Sequence, residues 1–196
     1  MHFRKCSSHL RKIAQDLRPT HSKEDAIKAY SEDLAEFIFR TNQIENYHLD
    51  FSECADASKE FLMGYPARYI TENSHITSTL KGLVCSHVLS PVDGPEKIIQ
   101  MHKMFSPSVI ERGKPGEVRS FSHSSPTGIR YSSPSDILEN LNKCMSFSNK
   151  PVIKHIVYEW VHPFSDGNGR SGRIMLASDL DYNFDIVNQI IDDDYI

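Results

Sequence analysis

The chain has 196 residues, a formal net charge of −4, 39% hydrophobic residues and 24% charged residues. These values are ordinary for a folded protein and argue against disorder, and the length suits one domain, or one domain with a short regulatory extension. No Lys/Arg block exceeds a few residues, which excludes a nucleic-acid footprint, and no run approaches the roughly 18 apolar residues of a membrane span. Two or three placed arginines could still hold a phosphate without moving the net charge.

The N-terminal residues Met1–Cys6 lack the apolar stretch of a secretory signal. Cys6, Cys54, Cys85 and Cys144 are far apart and form no Cys-x-x-Cys pair, which argues against a cysteine zinc site and for free thiols. The expected location is cytoplasmic, a setting compatible with delivery into another cell.

Along the chain, residues 22–45 read as a long helix. Ser22 with Asp25 resembles a capping box, and Ile27, Tyr30, Leu34, Phe37, Ile38 and Thr41 follow a 3.6-residue period. Further helices are predicted over 74–88 and from Pro95, at a favoured first-turn position, to about 105. From Gly113 to Pro134 the prolines and glycines punctuate short β-branched or aromatic pieces, so a small hairpin or extended flap is expected there. Helical periodicity returns at 135–145 and 151–161, followed by a loop over 162–168 and a helix over 169–180. The fold class expected is mostly α with one short β excursion.

The informative stretch runs His162-Pro163-Phe164-Ser165-Asp166-Gly167-Asn168-Gly169-Arg170-Ser171-Gly172-Arg173. Gly167 and Gly169 let backbone approach an anion, and a helix starting there offers free N–H groups and a favourable dipole. Arg170 and Arg173 fall on one helix face with forked donors for a polyphosphate. Asp166 can hold Mg²⁺ through one carboxylate while phosphate oxygens and water complete the shell. His162 can accept a proton from an attacking hydroxyl. Singly each has a plain structural reading: a capping histidine, a core Phe164, a solvated arginine face. The glycines at 167, 169 and 172 also satisfy a dinucleotide-binding pattern, but a helix rather than a strand precedes them and no βαβ unit surrounds them.

Taken together, the stretch resembles the signature of the Fic family, His-x-Phe-x-(Asp/Glu)-Gly-Asn-Gly-Arg-x-x-Arg, without a mismatch. The resemblance extends to Glu159-Trp160-Val161 with His155, to Lys114-Pro115-Gly116-Glu117-Val118-Arg119, and to Ile98–His102. It implies a Fic-type helical bundle with a short β-hairpin flap, and transfer of AMP from ATP to a Ser, Thr or Tyr hydroxyl of a target protein. His162 would be the base and Asp166 the Mg²⁺ ligand. Gly167, Asn168 and Gly169 would cradle phosphate, and Arg170 and Arg173 would bind the β- and γ-phosphates. Phe121 and Tyr131 would lie on the target-binding flap. The intact Gly-Asn-Gly-Arg argues against the kinase-like branch of the family.

Thr41-Asn42-Gln43-Ile44-Glu45-Asn46 is similar to the family's inhibitory pattern, (Ser/Thr)-x-x-x-Glu-(Gly/Asn). It implies that Glu45 pairs with Arg173 in the place of the γ-phosphate. A helix C-cap at Asn46 explains the same residues structurally. The implied division is an N-terminal region, 1–70, with the inhibitory helix at about 22–46, and a Fic core, 71–196. Relatives continue past the signature, whereas this sequence stops at Ile196. That leaves Tyr195 as the aromatic available near the adenine, unless the flap supplies the contact or the C-terminus is trimmed. The competing readings are a catalytically silent module that binds nucleotide or partner, and transfer of another nucleotide or phospho-alcohol. A homodimer is compatible with the sequence, but no patch decides it.

Overall fold

The computed structural model describes residues 2–65 and 74–193. Among them, helices dominate: α1 (His2–Leu17), α2 (Lys23–Gln43), α3 (Phe51–Met63), α4 (Ser74–Leu89), α5 (Pro95–His102), α6 (Ile137–Met145), α7 (Pro151–Val161), α8 (Asn168–Asp179) and α9 (Phe184–Asp193). No helix among the described residues is long and apolar enough to cross a membrane.

The expected helices form, with ends set by local chemistry. Ser22 caps α2 by accepting the Asp25 N–H at 3.1 Å, and Asn46, at φ 62°, turns the chain left-handed just beyond it. The helix after Pro95 stops at His102, three residues early, because the Met104 and Phe105 N–H groups close 3₁₀-type turns on Met101 and His102 and Pro107 cannot continue it.

The chain forms three helices beyond the predicted set. In α1 the buried Cys6, Leu10 and Ala14 recur every four residues, and in α9 Phe184, Val187 and Ile191 make the same stripe. In α3 both ends were signalled: Asp50 accepts the Ser52 N–H at 2.7 Å, and Gly64 closes the helix at φ 80°.

At the centre of the molecule lies α8. Its residues from Asn168 to Ser178 are all buried, and it touches α2, α4, α5, α7 and α9. The aromatic cluster of Tyr30, Phe37, Tyr182 and Phe184 ties α2 to the C-terminal helix, and the Tyr30 hydroxyl donates to the Tyr182 carbonyl at 2.7 Å. Burying a Phe-sized side chain is worth roughly 1.5–3 kcal/mol, so this cluster alone docks α2 firmly on the core.

The hairpin flap expected over 113–134 corrects to something less regular. Among the described residues there is no strand; Val118 pairs with Phe164, and Ser124 with Arg130, as isolated antiparallel bridges. The cause is Arg119. Its buried guanidinium takes the carbonyls of Phe121, Ser132, Val161 and His162, so groups that would have built a ladder are bound to one side chain instead.

Candidate active site

His162 ends α7 in a left-handed conformation, φ 48° and ψ 61°, which turns the chain sharply into the loop that precedes α8. Its Nδ1 faces the Glu159 carbonyl at 3.3 Å. A carbonyl only accepts, so Nδ1 carries the proton and Nε2 keeps its lone pair. Burial pushes the imidazole down to about 4, and the neighbouring His123 and Arg119 push in the same direction. The ring is therefore neutral at pH 7 and able to take a proton.

The loop is held by two buried residues. The Asn168 side chain accepts the Phe164 N–H and donates to the Phe164 carbonyl, both at 2.8 Å. His102 takes the Gly116 N–H on Nδ1 at 2.7 Å and donates from Nε2 to the Asp166 carbonyl at 2.9 Å, with its ring stacked on Phe164 at 3.7 Å. This one imidazole joins α5, the Pro115-Gly116 turn and the signature loop, and it does so only when neutral; burial pushes it to about 4. Gly167, at φ 76°, has no room for a Cβ, which would lie 2.9 Å from His102 Nε2 and from Ile110.

Asp166 accepts the Gly167 N–H at 2.5 Å and the Glu111 N–H at 2.6 Å, and lies 3.3 Å from Arg170. Oδ1 accepts from both Gly167 and Arg170, so the lone pair left over is on Oδ2, which accepts only from Glu111, and the side chain keeps partial access to the cleft. Among the described residues no cluster of three or more His, Cys, Asp or Glu is set to hold a metal. A Mg²⁺ that takes one protein carboxylate and completes its shell from phosphates and water fits this donor set.

Both arginines lie beneath the cleft, each on a carboxylate that lines it. Arg173, fully buried, donates to the Thr41 hydroxyl at 2.6 Å, to the Thr41 carbonyl at 3.0 Å and to Glu45 at 2.6 Å. Arg170 is also buried, with Tyr47 at 5.2 Å and Phe105 at 5.5 Å from its guanidinium carbon, and its Nε and Nη1 make no hydrogen bond to the described residues. Glu45 rests against the start of α8: a Cβ on Gly169 would lie 2.2 Å from its Oε1. A helix N-terminus favours an anion, and here the chain's own carboxylate stands close beside it.

These groups line a cleft of about 650 Å³ whose walls include Glu45, His123, Tyr131, His162, Asp166 and Gly169. Of the sequence-predicted residues, the structure brings together His162, Asp166, Gly167, Asn168, Gly169, Arg170, Arg173 and Glu45. Tyr131 joins them; Phe121 stays half-exposed at the rim, 6.1 Å from the His123 ring. Tyr195 lies outside the described residues. The side-chain role of Asn168, the linking role of His102 and the presence of His123 and Glu111 were not anticipated. The Ile98–His102 stretch and the Pro-Gly-x-x-Arg pattern pointed near them.

Residues 91–178 match the Fic/DOC family. The fold is similar to that of a Fic domain-containing signaling protein from Bacteroides thetaiotaomicron VPI-5482, with a TM-score of 0.61 and 20% identity over 93% of this chain and 73% of the other. It is similar also to a Fic family protein from Desulfovibrio desulfuricans G20, with a TM-score of 0.63 and 16% identity. There the match covers 97% of this chain and 62% of the longer one. At these identities the likeness is one of fold. No curated protein matches the sequence.

Proposed function

We propose that this chain is a protein adenylyltransferase whose own Glu45 holds it in check. The reading rests on one juxtaposition: a neutral imidazole shares a cleft with a helix N-terminus backed by two arginines, and Glu45 stands close beside that anion position. A target hydroxyl oxygen forms a bond to the α-phosphorus of ATP while the bond from that phosphorus to the bridging oxygen breaks and pyrophosphate leaves. The hydroxyl proton passes to Nε2 of His162. The N–H groups opening α8, with Arg170 and Arg173, hold the negative tail in place, which is positioning and charge stabilisation rather than covalent work. Asp166 would hold Mg²⁺, which supplies further neutralisation of phosphate charge when bound.

Glu45 competes for Arg173 and the α8 N-terminus, so ATP cannot place its terminal phosphate there while the pair is closed. A difference of about 1.4 kcal/mol between closed and open forms shifts the population tenfold. Glu45→Gly removes the competitor and leaves Arg173 anchored on Thr41. With ATP and Mg²⁺, mass spectrometry of the chain and of lysate proteins is expected to show a low gain of AMP for wild type. Glu45→Gly should raise it by about tenfold or more, and Glu45→Gly/His162→Ala should show none. Equal transfer by wild type and Glu45→Gly would retire the inhibitory role; no AMP in any variant would retire adenylyl transfer.

A further inference from the structure

We propose that Tyr131 is a positioning residue that seats the His162 imidazole from the flap side, with His123 backing the pair. Its catalytic meaning rests on the adenylyl-transfer reading, but the seating is a structural claim of its own. Among the described residues the His162 ring has one hydrogen bond, a long one, to a carbonyl of its own helix, and a single bond leaves the plane of the ring free to tilt about it. The second constraint comes from Tyr131, whose ring lies 3.9 Å from the imidazole and within 6° of parallel. His123 packs 5.4 Å from His162 and 5.5 Å from Tyr131.

Tyr131 is itself fixed in height. Its N–H donates to the His123 carbonyl at 3.2 Å, and the next residue, Ser132, donates to the Trp160 carbonyl at 3.2 Å, two residues before His162. Arg119 holds the Ser132 carbonyl from behind. The stack therefore hangs on backbone bonds between the flap and the end of α7. The same parallel geometry rules out Tyr131 as an acceptor of AMP from this base. Its hydroxyl lies in a plane parallel to the imidazole, away from the in-plane lone pair of Nε2.

Besides the two aromatic neighbours, the charged groups around the ring are Glu159 on α7, Arg119 behind the His162 carbonyl and Asp166 in the loop. Across the cleft stand Glu45, Glu111 and Arg112. None of these changes when Tyr131 is replaced, so the expected effect is desolvation alone: water reaches the uncovered ring, and its protonation midpoint climbs from about 4 toward the ordinary 6.5.

The test is an NMR titration of the His162 Cε1–H signal, assigned by its loss in His162→Ala, in Tyr131→Phe, Tyr131→Leu and His123→Leu. Tyr131→Phe keeps the stack and should leave the midpoint in place. Tyr131→Leu should raise it by about one pH unit or more, and His123→Leu by less. In the Glu45→Gly background, kcat for AMP transfer should fall about tenfold in Tyr131→Leu, with KM for ATP unchanged and recovery in Tyr131→Phe. Its acid limb should move to higher pH. An unmoved midpoint in Tyr131→Leu, an equal rise in Tyr131→Phe, or a larger rise in His123→Leu overturns the proposal. If Tyr131→Leu does not fold, the comparison of Tyr131→Phe with His123→Leu still decides it, because a seated ring requires the first to stay put and the second to rise. A moved midpoint with no AMP transfer by any variant would establish the seating and retire the reaction instead.

Discussion

Asn168 shows how much of this site is held by a single side chain. Its amide spans the loop from within, matching the N–H and the carbonyl of Phe164 at 2.8 Å each, while its own backbone opens α8. Asn168→Ala leaves both Phe164 groups buried and unpaired, at a cost of about 2–4 kcal/mol. Urea unfolding should show that loss, and a change under about 0.5 kcal/mol would mean the loop is held by other contacts. The residue type was legible in the signature, but as a phosphate cradle. Its structural use was not, since it depends on Phe164 folding back four positions to meet it. Arg119 is similar: an arginine in a Pro-Gly-x-x-Arg pattern does not announce that it will collect four carbonyls from two segments.

Among the helices, α2 and the turn that follows it meet α8 at Thr41, Glu45 and Arg173, the contact on which the proposed control would rest. Thr41 contributes both its hydroxyl and its carbonyl to Arg173. Thr41→Val removes the hydroxyl acceptor and leaves the carbonyl and Glu45 in place, so it should loosen the closed form by about 1 kcal/mol. AMP transfer is then expected to rise about fivefold, less than in Glu45→Gly; labelled-ATP assays reporting a rise equal to that of Glu45→Gly would mean Thr41 rather than Glu45 sets the inhibition. The periodicity of α2 and the Asn46 turn were readable from spacing. The helix α3, packed beside it, was not anticipated, although Asp50 and Gly64 mark its two ends. The flap was misjudged as a hairpin because β-branched residues between turns predict extended backbone, whereas ladder formation needs partners that Arg119 had taken.

The whole molecule keeps buried imidazoles neutral at several points, and this couples its stability to pH. His102 and His155 are both pushed by burial to about 4, against about 6.5 when unfolded. Above pH 6.5 neither state binds these protons and stability is full. As pH falls toward 4, the unfolded chain takes them up and the folded chain does not, so stability drops, by up to about 3 kcal/mol for each group. Asp33 and Asp179, raised by burial, oppose this at the acid end. Urea unfolding at pH 7.5, 5.5 and 4.5 should give a steadily falling free energy; a flat series would show that these rings take up protons without loosening the fold. By itself the sequence determined the helical class, most helix boundaries and the residue types of the cleft, because capping, periodicity and the signature order act over a few neighbouring positions. Only the tertiary structure decided that α8 would be buried all round, that Glu45 would rest on Gly169 and Arg173, and that Tyr131 would cover His162. Those contacts join residues far apart in the chain, and their energies depend on shared burial, which local spacing does not encode.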